Sequence, residues 1–103
     1  MKVWKNYANR DVRLTDERVR HVMRHPEMTD MEAAIEETLR APKVVIQSRM
    51  DEQTVLHYRF YFGTKVGDKW LCVVVKYPNG DAFVVTAYMT DMIKKGEQLW
   101  PSR

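Results

Sequence analysis

Cysteine is nearly absent from this chain. The single residue, Cys72, excludes a disulfide framework and a multi-cysteine zinc site within one chain. It also gives no sign of an oxidising compartment. Long apolar runs are missing too: they reach about five residues, against the roughly 20 that cross a bilayer. The opening Met1-Lys2-Val3-Trp4-Lys5 has no apolar stretch of the signal-peptide kind, so the expectation is a cytoplasmic protein without a membrane partner. There is no glycine-rich phosphate loop, no nucleophile elbow and no convincing carboxylate pair, which argues against a kinase, a nucleotide hydrolase or a dinucleotide enzyme. Internal repeats, low-complexity tracts and linkers are absent as well.

What remains is the composition of one small soluble domain. The 103 residues are 45% hydrophobic and 30% charged, and include 3 Trp, 5 Tyr and 3 Phe, enough to build a core without staples. The net charge is only +3, weak evidence for a nucleic-acid partner by itself. Its distribution is uneven. Residues 1–25 hold seven Lys/Arg against three Asp/Glu, residues 26–52 three against seven, and residues 53–103 seven against four. Basic ends therefore flank an acidic middle, which folding can turn into one positive and one negative surface.

Val12-Arg13-Leu14 reads as a short strand or an extended lead-in. Thr15 is a good N-cap, followed by Asp16 and Glu17, whose charge suits a helix N-terminus. Val19, Val22 and Met23 then recur at helical spacing until Pro26. Thr29-Asp30-Met31-Glu32 fits a capping box and opens a second helix, whose apolar face is Met31, Ala34, Ile35 and Leu39. After Pro42 the pattern turns to strands: 43–49, 54–62, 69–77 and 82–88 are rich in Val, Ile, Tyr and Phe. Pro78-Asn79-Gly80-Asp81 is a hairpin signal, and a helical turn is expected near Thr90 to Lys95. The expected fold is α+β: two N-terminal helices packed on a four-stranded antiparallel meander, with a short C-terminal helical turn.

Few residues suggest chemistry. His21 and His25 are four apart and share a helix face. Such a pair can bite a metal, with His57 or Glu27 as the third ligand, or act as general acid and base. The plainer reading is a pair of surface histidines, and no metal site is expected. Arg59 and Lys76 interrupt apolar strands, where a cation can hold phosphate. Without bulges, strand parity puts His57, Arg59, Cys72, Val74 and Lys76 on one face and Thr86 and Tyr88 on the other.

The order and spacing of these pieces resemble a known group. Leu14-Thr15-Asp16-Glu17-Arg18, His21, His25-Pro26-Glu27 and Ile35-Glu36-Glu37-Thr38-Leu39 carry the first part. Tyr58-Arg59, Val73-Val74-Val75-Lys76 and Val84-Val85-Thr86-Ala87-Tyr88 carry the second. Over roughly residues 12–100 the chain resembles the phage-associated branch of the barnase, EndoU, colicin and RelE-like nuclease superfamily. The resemblance implies a single domain of helices on an antiparallel sheet and a toxin-like, metal-independent endoribonuclease needing no cofactor. In it, the RNA 2′-hydroxyl attacks the adjacent phosphate. His21 or His25 would supply the acid and base, Arg59 and Lys76 the phosphate clamps, and Tyr88 a hydrogen bond. Arg18, Arg24 and Thr86 would bind substrate. The implied partners are tRNA or ribosome-bound message and an antitoxin or immunity-like protein. The alternative is an RNA- or protein-binding domain that retains the fold without the reaction.

Overall fold

The computed structural model describes residues 1–102. Its elements are β1 (Lys2–Lys5), β2 (Asp11–Leu14), α1 (Asp16–Met23), α2 (Glu32–Arg40), β3 (Val44–Gln47), β4 (Thr54–Thr64), β5 (Gly67–Lys76), β6 (Phe83–Thr90) and β7 (Gln98–Trp100). All seven strands join one sheet in the order β1-β2-β6-β5-β4-β3-β7. Among the described residues only the β2–β6 pair is parallel. The sheet curls into a half-barrel. The four-stranded meander is therefore incorrect. Its strands are the middle of a larger mixed sheet, and the helices are not N-terminal but inserted between β2 and β3. Val12-Arg13-Leu14, read as a short strand or an extended lead-in, belongs to β2. β1 and β7 escaped the reading because, at 4 and 3 residues, they are too short for a period-2 pattern to stand out.

Local chemistry explains the boundaries. The Thr15 hydroxyl caps α1, accepting from the Arg18 amide at 3.2 Å. Pro26 opens a 3-10 turn to Met28. The expected capping box does not form. Asp30 is left-handed at φ 68°, which turns the chain before the helix. Met31 is the N-cap of α2, without a side-chain bond. No helix forms at Thr90–Lys95. The Thr90 hydroxyl instead bonds the backbone of Met92, and the chain runs on to β7. Gly96 sits so close to β3 that a Cβ there would collide with the Gln47 carbonyl.

The helices cover one face of the sheet. Val22 of α1, Met28, and Ile35 and Leu39 of α2 pack on Leu14, Leu71, Val73, Val75 and Val84. The other face carries no helix; its smaller cluster centres on Ile46, Leu56, Tyr58 and Cys72. Two irregularities set which residues share a face. One lies in the β4–β5 hairpin between Tyr61 and Thr64. In the other, Val74 pairs Thr86 while Val75 pairs Val84, so Val85 is an extra residue. The bulge-free parity expected from the sequence is thus wrong. His57 and Arg59 oppose Val73 and Leu71 on the covered face, whereas Cys72, Val74 and Lys76 join Thr86 and Tyr88 on the helix-free face.

Among the described residues, no helix is long and apolar enough to cross a membrane.

Candidate functional site

The helix-free face is organised in rows across β4, β5 and β6. Leu56, Val74 and Thr86 form one row, Tyr58, Cys72 and Tyr88 the next, and Phe60, Trp70 and Thr90 the third. The β3–β4 loop and the segment after β6 rise beside the first two rows. Together they make a cleft of about 300 Å³ whose lining includes Arg49, Thr54, Thr86, Tyr88, Lys94 and Lys95. Arg49, Lys94 and Lys95 have no carboxylate partner within 4 Å among the described residues. Among the described residues no acidic side chain lines the cleft, and Asp51, which accepts from the Thr54 hydroxyl at 2.8 Å, lies at its edge. Three cations without a carboxylate partner, beside the Thr86 and Tyr88 hydroxyls, give the cleft the chemistry that suits an oxyanion such as phosphate.

The floor of this cleft is held in place. The Lys94 amide donates to the Tyr58 hydroxyl at 3.1 Å, fastening the post-β6 segment to the sheet, and Ile93 packs beside it. The Lys94 ammonium lies 6.0 Å from the Tyr88 ring centroid. Burial pushes the Tyr58 phenol up to about 12 and the Cys72 thiol up to about 11. It raises the Tyr88 phenol as well, with a further push from the neighbouring Cys72. All three stay protonated near neutral pH, so Tyr88 is a hydrogen-bond donor here rather than a base.

The residues expected to act together are divided by the sheet. Thr86 and Tyr88 line the cleft. Lys76 shares their face, opposite Thr54 in the row next to Leu56–Val74–Thr86, and its ammonium is 3.5 Å from Asp51. Arg59 lies on the covered face and serves α2. It donates to the Ala41 carbonyl at 2.6 Å, at the helix C-terminus, and pairs with Glu37 at 3.3 Å. Tyr61 donates to the same Glu37 at 2.7 Å, and this bond, with Arg59 behind it, holds the Glu37 carboxyl below its usual range.

His21, His25, Arg18 and Arg24 belong to α1 and the turn after it, on the covered side. His21 is half-buried and His25 and Arg24 are exposed. Their side chains make no hydrogen bond or ion pair with Arg59 or Lys76 among the described residues. The Arg18 side chain is likewise unlinked to any strand cation. No three His, Cys, Asp or Glu side chains gather into a metal-binding group among the described residues. His57, the proposed third ligand for a metal, is fully buried.

A second cleft lies across the β3–β4 loop, at the end of the covered face. It holds about 540 Å³ and is bordered by the β1–β2 turn and by Tyr77. Beneath it runs a buried polar chain. His57 Nδ1 faces the Val73 carbonyl at 3.2 Å, so that nitrogen carries the proton. Nε2 is then free to accept from the Tyr77 hydroxyl at 3.1 Å. The Tyr77 oxygen in turn accepts from Asn6 Nδ2 at 3.1 Å. Burial lowers the His57 pKa to about 4, which keeps the ring neutral. Sequence reasoning passed over this chain and over Arg49, Lys94 and Lys95. The three cations sit in polar loops, where nothing but an unpaired basic residue after a strand marks them.

Comparison with protein-family models, curated proteins and solved structures gives no match for this chain.

Proposed function

We propose that this protein binds single-stranded RNA, holding its phosphates in the Arg49–Lys94–Lys95 cleft without cleaving it through the α1 histidines. The observation that supports this reading is the meeting of three unpaired cations with the Thr86 and Tyr88 hydroxyls on the helix-free face. The aromatic residues beside it fit the same reading. Phe60 meets Phe62 and Trp70 edge-on, with ring centroids 5.0 and 5.1 Å apart, and Phe62 is 79% exposed. Cations that follow a phosphate backbone beside aromatic faces are the usual means of gripping unpaired strands.

The nuclease mechanism needs a histidine beside a phosphate clamp. Here the histidines and the cationic cleft lie on opposite sides of the sheet, which favours the binding alternative. The test is fluorescence anisotropy with a short single-stranded RNA over a salt series, next to a cleavage assay in excess EDTA. Lys94→Ala combined with Lys95→Ala is expected to weaken binding about tenfold and to flatten the log Kd–log salt slope by about 1.4, the loss of two phosphate contacts. RNA binding unchanged in the double variant overturns the reading. RNA cut by the wild type but not by His21→Ala/His25→Ala restores the nuclease mechanism.

A further inference from the structure

The second cleft has chemistry that phosphate binding does not use. Its walls are planar: the Tyr7 and Tyr77 rings, and the Arg10 guanidinium 5.2 Å from the Tyr77 centroid. Its rim carries the side-chain amides of Gln53 and Asn79, both exposed and neither hydrogen-bonded within the described residues. An amide offers a donor and an acceptor side by side. Glu52 also lines the rim and disfavours an anion, while Arg10 offsets its charge. Flat walls and a neutral, two-way hydrogen-bonding rim fit an uncharged planar heterocycle. The floor is preset, because the His57–Tyr77–Asn6 chain already uses its own donors and acceptors.

The two clefts share one wall. Gln47, Glu52 and Gln53 line the second, and Ser48, Arg49, Met50 and Thr54 line the cationic one. The β3–β4 loop therefore stands between a phosphate site and a heterocycle site. We propose that the Tyr7–Tyr77 cleft receives one unpaired base of the RNA whose phosphates lie in the cationic cleft, and that Gln53 and Asn79 read its edge. This inference rests on the RNA-binding reading above. It assigns base preference to one side of the loop and salt-dependent affinity to the other.

Two measurements separate them. The first titrates the four free nucleosides, which lack phosphate, and follows the Tyr7, His57 and Tyr77 ring signals by NMR. The second compares Kd for four single-stranded homopolymer RNAs across a salt series. In the wild type, one nucleoside is expected to shift the ring signals, and the homopolymer of the same base to bind about tenfold more tightly than the weakest, the discrimination typical of a paired edge contact. Gln53→Ala/Asn79→Ala, two exposed loop substitutions, is expected to bring the four homopolymers to within about twofold and leave the salt slope unchanged. Homopolymers that bind the wild type equally, with no nucleoside shifting the rings, overturn the base site and leave the phosphate cleft standing. No RNA binding at all by folded protein overturns both.

Discussion

His57 is the residue whose chemistry reaches furthest. It is fully buried, and its imidazole lies below the range of an exposed histidine because burial penalises the charged ring. The unfolded chain, titrating near 6.5, binds a proton that the folded chain refuses until about pH 4. Stability from this group is therefore complete above pH 6.5 and is lost as pH falls through that window. The loss reaches roughly 3 kcal/mol by pH 4. Urea unfolding at pH 7, 5.5 and 4 is expected to show a falling midpoint. In His57→Leu/Tyr77→Phe, which removes both hydrogen-bonding partners together, the fall between pH 6.5 and 4 should flatten. A midpoint that moves equally in both proteins would assign the effect to other groups. Nothing in the sequence announced this role. A lone histidine in an apolar strand looks like any other; its partner Tyr77 is 20 positions away, and Asn6, which bonds Tyr77, is 51.

At the scale of elements, capping and close approach decide more than periodicity does. Thr15 was legible as a cap because its hydroxyl acts within its own turn. Thr15→Ala should cost about 1 kcal/mol in thermal or urea unfolding. Thr29 had the same signature and fails as a cap, because the left-handed Asp30 carries the chain away before α2 begins. Pro78-Asn79-Gly80-Asp81 announced a turn, and Gly80 takes the positive φ of 72° there. The same turn does something local pattern cannot reveal: Asp81 grips Arg13 through two bonds, at 3.0 and 2.6 Å, and so docks β2 beside β6. The bulge at Val85 was equally invisible. It depends on how two strands meet, yet it moves Thr86 and Tyr88 onto the face of Lys76. Gly96 shows the same dependence on a distant neighbour. Gly96→Ala is expected to push β7 away from β3 at a cost of about 1–3 kcal/mol, seen as a lower melting temperature and faster amide exchange at Gln98–Trp100.

For the whole molecule, the sheet's two outer strands come near each other. β1 and β7 are the ends of the strand order, yet Tyr7, in the turn after β1, lies 5.7 Å from Trp100 of β7 by ring centroid. The same Tyr7 ring is 5.9 Å from His57. Two aromatic side chains thus bridge the gap that backbone pairing leaves open in the half-barrel. Trp100→Ala should speed amide exchange in the Asn6–Arg10 turn and in β7 together, while the centre of β5 stays protected. Exchange that rises in β7 alone would show that the two edges are not coupled. Single-strand patterns could not foretell this curl, because it follows from how seven strands twist against one another and not from any one of them.

The lone parallel pair has a consequence for how the chain comes to its shape. β2 has been made by residue 14, but its neighbour β6 starts only at Phe83. β2 and α1 leave the ribosome long before β6, the strand they pack against, exists. For most of synthesis the apolar face of α1, with Val22, has no β6 to cover it. Closing a loop of nearly seventy residues is slow compared with forming a hairpin. β2 and α1 are thus among the last elements to be secured, and a chain cut short before β6 leaves these two without the strand they pack on, while α2 still has β4 and β5 to cover it.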